Sequence, residues 1–128
     1  MISIDHLDHL VLTVADVPAS VAFYQRVLGM RPVKFGDGRY ALAFGNQKVN
    51  LHQAGREIEP HAHRPTRGSA DLCFITGTPL AEVVTTLRNL GVPVEEGPVP
   101  RTGATGPITS VYLRDPDGNL IELSNPAD

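Results

Sequence analysis

His9-Leu10-Val11-Leu12-Thr13-Val14 alternates with a period of two, the spacing a β-strand needs to bury one face. Leu10, Leu12 and Val14 share one side of that strand, and His9, Val11 and Thr13 share the other. Immediately after it, Asp16 is placed to cap a helix whose first turn holds Pro18. Val17, Val21, Tyr24 and Leu28 then recur at helical spacing until Gly29 supplies the stop. The same order returns at position 71. Asp71-Leu72-Cys73-Phe74-Ile75-Thr76 reads as a strand, Thr78 as a cap, Pro79 as the first helical residue, and Leu80, Val83, Val84, Leu87 and Leu90 as an apolar stripe ending at Gly91. A repeated strand-helix pair decides the fold class before any other feature is considered.

Each copy is followed by three short strand candidates. In the first half these are 31–35, 39–44 and 47–53, broken by Gly36-Asp37-Gly38 and Gly45-Asn46; in the second they are 94–99, 108–114 and 120–124. The last two are separated by Asp115-Pro116-Asp117-Gly118-Asn119, a reversal rich in Pro and Gly. The reading is therefore α+β: two paired βαβββ modules, 5–53 and 70–125, forming a cupped mixed sheet within a single domain 1–128. They are joined by a Pro-, His-, Arg- and Gly-rich linker, 54–69. Neither module alone has much core, so the two are expected to pair. The stretch 98–107 shows no periodicity and is expected to be an irregular, substrate-facing loop.

Composition narrows the function. A chain of 128 residues with 41% apolar content has room for one core. Eleven scattered Lys and Arg, with a net charge of -3, argue against a nucleic-acid partner, because phosphate binding needs clustered cations. No apolar run approaches the roughly 20 residues that cross a bilayer, and Met1 to His6 does not read as a secretory signal. The expectation is a cytoplasmic protein without membrane contact, whose partner is a small molecule. Cys73 is the only cysteine, so any metal must be held by His, Asp and Glu; the thiol itself reads as a small buried hydrophobe.

Strand parity nominates the chemistry. His9 and its repeat partner Asp71 point away from the helices. So do Asn50 and His52, on the strand where Val49 and Leu51 are the apolar pair, and Glu122, between Ile121 and Leu123. A histidine with carboxylates in a half-apolar cavity suits a divalent cation, since such charges are costly to bury unpaired. Tyr40, Tyr112 and Arg101, with Asn50, are candidates for the wall of a substrate pocket. Lys48, Arg64, Arg67 and Arg101 suit an anionic group near its mouth and equally serve solubility.

Asp8-His9-Leu10-Val11-Leu12-Thr13-Val14-Ala15-Asp16, with Ser20, Phe23-Tyr24 and Leu28-Gly29-Met30, and the closing run from Asp115 to Leu123 resemble the vicinal oxygen chelate superfamily. That superfamily includes glyoxalase I, fosfomycin-resistance proteins, bleomycin-resistance proteins and extradiol dioxygenases. Lys48 to His52 and Gly68 to Phe74 most resemble the group called glyoxalase domain-containing protein 5. The resemblance implies paired βαβββ modules around a metal, usually in a homodimer and sometimes with modules exchanged between chains. Its ligand positions fall on His9, Asn50 or His52, Asp71 and Glu122. The dioxygenases and fosfomycin-resistance proteins carry histidine where Asp71 stands, and glyoxalase I has a stronger ligand where Asn50 stands.

These departures keep alternatives open. His9, Asp71 and Glu122 form a hard nitrogen-oxygen set for Zn, Ni, Mn, Mg or Fe. A ring-cleaving dioxygenase would instead need His52 as its second histidine, about 6.6 Å along the strand from position 50. The leading expectation is a glyoxalase-like, metal-dependent lyase or isomerase acting on adjacent oxygens, with Glu122 moving the proton. The main rival is a non-enzymatic, antibiotic-sequestering binder of the bleomycin-resistance kind, which Asn50 favours.

Overall fold

Val14, Tyr24, Leu42 and Val49 are wholly withdrawn from solvent and explain why the first half folds as it does. The computed structural model describes residues 1–127. The chain divides into two compact units, the first spanning Met1–Gly68 and the second beginning at Ser69.

The first unit runs β1 (His9–Val14), α1 (Val17–Leu28), β2 (Arg31–Phe35), β3 (Arg39–Phe44) and β4 (Gln47–Gln53), with sheet order β1-β4-β3-β2. β1 and β4 are parallel, and the other neighbours are antiparallel. Asp16 caps α1 by accepting from the Ala19 N–H at 3.2 Å. At the other end Gly29 adopts φ 66°, and Met30 N–H returns to the Tyr24 carbonyl at 3.1 Å, a left-handed closure that glycine permits. Ser20, Tyr24 and Val27 are the buried residues of the helix; Leu12, Val14, Leu42, Val49 and Leu51 are the buried residues of the helix-covered face of the sheet.

The second unit repeats this order: β5 (Asp71–Ile75), α2 (Leu80–Asn89), β6 (Glu96–Gly103), β7 (Gly106–Arg114) and β8 (Leu120–Pro126), in sheet order β5-β8-β7-β6. Leu80, Val83 and Leu87 of α2 are buried, as are Val111, Leu113, Ile121 and Leu123 of the sheet. Both units are α+β, as the repeat predicts.

Three local expectations are corrected. The cap of α2 is Pro79, not Thr78, and no side chain of its own segment caps it. Asn125 of β8 serves instead: its Oδ1 accepts from Leu80 N–H at 2.9 Å while its Nδ2 donates to the carbonyls of Thr76 and Thr78. Residues 98–107 are not an irregular loop but the tip of the β6–β7 hairpin. Pro98 and Pro100 are tolerated because β6 is an edge strand, with a register shift between Glu96 and Val99. β8 also continues past Ser124 to Pro126.

The reversal between β7 and β8 sets the start of β5. Asp115 Oδ1 accepts from the N–H groups of Asp117 and Asn119, both at 2.9 Å, and Asn119 Nδ2 donates to Asp115 Oδ2 at 2.8 Å. Asn119 Oδ1 then accepts from Ala70 N–H at 2.8 Å, next to Asp71. This motif, legible in sequence only as a turn, is also the clamp that holds β5 against β8.

Candidate functional site

Each sheet has one face covered by its own helix and one that is not; the candidate residues lie mainly on the uncovered faces. In the first unit the parallel ladder pairs His9 with Lys48, Val11 with Asn50 and Thr13 with His52. His9, Asn50 and His52 therefore share one face, as parity predicts. His9 Nδ1 donates to Asp8 at 2.8 Å, a bond that holds the Asp8 carboxyl below its usual range and leaves Nε2 as the ring nitrogen available to a ligand. Asn50 is 5% exposed and its Oδ1 has no partner.

His52 is 4% exposed, with Arg39 Nη2 3.4 Å from its Nε2. Burial, then the Arg39 charge and that of His61, lower the imidazole pKa; only Glu57 acts the other way. A guanidinium against Nε2 makes this ring a poor cation ligand, because the charge already beside it is positive. Tyr40 lies elsewhere. It pairs with Leu51 and so sits on the helix-covered face, opposite Asn50 and His52, which removes it from the expected pocket wall.

In the second unit Asp71 opens β5, and Cys73 lies directly across from Glu122, which is flanked on its other side by Tyr112. Ser110 Oγ donates to Glu122 Oε2 at 2.6 Å. Its single hydrogen being used there, Ser124 Oγ must donate to Ser110 at 2.7 Å, and the Cys73 thiol must in turn donate to Ser124 at 3.3 Å. Burial raises the Cys73 pKa, and the Glu122 charge adds to this against the Ser124 bond, so the thiol stays a protonated donor. Cys73 as a residue is exposed, with only its sulfur partly desolvated against Ser124, and is not the buried hydrophobe expected from sequence. Arg101 Nε donates to the Tyr112 hydroxyl at 2.9 Å with its guanidinium 5.4 Å from the ring centroid. The Tyr112 bond is the chief cause of the raised Arg101 pKa, and the Glu122 charge contributes further.

The two ladders superpose in register. His9 and Asp71 each begin the first strand of a unit, and two residues later Val11 faces Asn50 as Cys73 faces Glu122. Asn50 is thereby the counterpart of Glu122. Among the described residues no three His, Cys, Asp or Glu side chains stand close enough together to hold an ion. The chemistry of the individual donors suits a divalent cation: His9 and Glu122 are each braced by a neighbour, and the Asn50 oxygen is buried without a partner. Sequence reading did not single out Ser110 or Arg39. Period-two parity along β7 carries a signal for the first, but only strand register reveals the second.

Two βαβββ units with these ladders define a class, and comparison names it. The family model for the glyoxalase/bleomycin resistance protein/dioxygenase superfamily matches residues 6–123, and the chain belongs to that family. Among individual proteins it is 60% identical over 121 residues to the virulence protein STM3117 of Salmonella typhimurium, covering 94% of this chain and 84% of that protein. The crystal structure of STM3117 matches with TM-score 0.97 and 57% identity, over 98% of this chain and 100% of that one. The glyoxalase domain-containing protein RDO1 of Mycosarcoma maydis is 54% identical over 127 residues, 99% of this chain and 72% of that protein. The lactoylglutathione lyase of Agrobacterium tumefaciens matches at TM-score 0.74 with 25% identity, over 96% and 95% of the two chains. No helix among the described residues is long and apolar enough to cross a membrane.

Proposed function

We propose that this protein is a metal-dependent enzyme of glyoxalase-like, lyase or isomerase type, acting on a small substrate with adjacent oxygens. The observation that carries this reading is the register match of the two ladders, which gives His9, Asn50, Asp71 and Glu122 equivalent places on the two uncovered faces. Asp71, Glu122 and His9 would hold the ion, with the unpartnered Asn50 oxygen as a weaker fourth donor. When bound, a divalent ion of the Zn, Ni, Mn, Mg or Fe group supplies Lewis-acid stabilisation to negative oxygen. The protein's own part is to orient and to move a proton. Asp8 fixes the tautomer and rotation of His9, and Ser110 pins one oxygen of Glu122 so that the other is free to accept a proton from carbon. The likeness to lactoylglutathione lyase supports the reaction class. Assembly as a homodimer, which the superfamily resemblance implies, is part of the proposal.

A second reading, a binder without catalysis, is favoured by Asn50, a neutral amide where its counterpart is Glu122. The dioxygenase reading is the weakest, since the second histidine it needs, His52, faces Arg39. Metal content of tag-free protein, measured by plasma emission, separates the readings. The parent is expected to carry close to one ion per site and to lose thermal stability in chelator, while Glu122→Ala folds and carries none. Equal metal content in parent and variant would refute the ligand assignment. A parent indifferent to chelator and to every added divalent ion is the binder.

A further inference from the structure

We propose that the uncovered face of the first unit binds an oxyanion, a carboxylate or phosphate group of a small molecule, through Arg39, His52 and Lys48. The inference stands on the first unit alone and holds whether or not a cation binds to the protein.

Hydrogen-bond arithmetic carries it. A guanidinium has donors only, so where Arg39 Nη2 meets His52 Nε2 at 3.4 Å the ring nitrogen is the acceptor. The remaining imidazole proton then resides on Nδ1. That Nδ1–H is buried and has no partner, and neither does the buried Nε–H of Arg39. The unmet groups of Arg39 and His52 are both donors, and the two residues meet on one face of β3 and β4; the Asn50 Oδ1 acceptor on that face bonds to neither of them. A buried donor left unpaired is costly and rare in a native fold, and what is missing here is an acceptor.

Charge adds to this. Arg39 and Lys48 both lie over the ring of Phe35, at 4.8 and 4.0 Å from its centroid. Phe35 pairs with Arg39 across β2 and β3, so the ring is a platform that holds two cations at one place on the sheet. Among the described residues neither cation has a carboxylate within ion-pair distance; Asp8 feels the charge of Lys48 but is bonded to His9. Two like charges gathered without a counter-ion, beside two unmet N–H donors, match the needs of a bound oxyanion.

The test uses the full-length protein in chelator, so that metal plays no part. Thermal unfolding is followed against inorganic phosphate and against acetate, each matched to sodium chloride at equal ionic strength. At least one oxyanion is expected to raise Tm in a saturable manner, and the preferred arm distinguishes phosphate from carboxylate as the natural group. Arg39→Gln is expected to weaken that binding by about tenfold or more, and Lys48→Met by a smaller factor, while Arg88→Gln on the exposed face of α2 leaves it unchanged. In the parent, the His52 ring nitrogen resonance should move on anion addition. Two results overturn the proposal: neither oxyanion exceeding chloride in the parent, or Lys48→Met and Arg39→Gln both keeping the parental response. If Arg39→Gln does not fold, the parent arms, the His52 resonance and Lys48→Met still decide.

Discussion

Removing one hydroxyl, Ser110→Ala, tests whether the Glu122 carboxylate is held in place by its own sheet. Ser110 is wholly buried and makes two hydrogen bonds, 2.6 Å to Glu122 Oε2 and 2.7 Å to Ser124 Oγ. A bond to a charged acceptor contributes about 1.5–3 kcal/mol and a neutral one about 0.5–1.5 kcal/mol. Glu122 is only half-buried, so water recovers part of the first term, whereas the buried Ser124 hydroxyl recovers little. The net cost is expected to be about 2 kcal/mol, a fall in Tm of about 8 °C for a chain of this size. Urea unfolding in chelator, to exclude metal linkage, measures it. A double-mutant cycle with Glu122→Ala isolates the pair, and a coupling of about 1.5 kcal/mol is expected. If the two substitutions add to within about 0.5 kcal/mol, Ser110 does not hold Glu122, and the proton-transfer geometry proposed for this carboxylate loses its support.

Asn119→Ala removes the clamp between the β7–β8 reversal and Ala70, with bonds on both ends of a buried amide, and is expected to cost about 3 kcal/mol in thermal unfolding; a loss below about 1 kcal/mol would count against the clamp. Gly97→Ala should be among the most disruptive single changes in the second unit. Gly97 has φ 106° and an added Cβ would run into the backbone of Ser110 and lie 2.9 Å from Val111 Cα, so a loss of about 3 kcal/mol or more, or failure to fold, is expected. His52 gives a pH dependence of defined sign. Its folded pKa lies below the unfolded value, so the unfolded state binds the proton first; the stability it contributes is intact above the unfolded pKa of about 6.5 and is lost as pH falls toward the folded value. His52→Gln should therefore flatten the decline in stability between about pH 7 and pH 5, and an unchanged slope would contradict the depressed pKa.

Much of the fold was legible because its signals are local. The alternation in β1 and β5, the cap at Asp16 and the left-handed closure at Gly29 each depend on residues within one turn or strand, and each formed as read. Asn125 was not legible as the partner of Leu80 N–H, because that bond joins residues 45 positions apart. The hairpin over 98–107 was masked by Pro98 and Pro100, whose usual meaning as breakers is suspended on an edge strand. Tyr40 was misplaced for a related reason. In the run Tyr40-Ala41-Leu42-Ala43-Phe44 nearly every residue is apolar, so alternation does not reveal which side faces the helix.

From sequence alone, period-two alternation determined that His9, Asn50, His52, Asp71 and Glu122 turn away from the helices of their modules, because side-chain direction along a strand follows from the backbone itself. Which groups stand next to them was decided only by tertiary structure. Register between strands joins distant parts of the chain, and it alone puts Arg39 against His52, Ser110 against Glu122, and Asn50 at the place in the first sheet that Glu122 holds in the second.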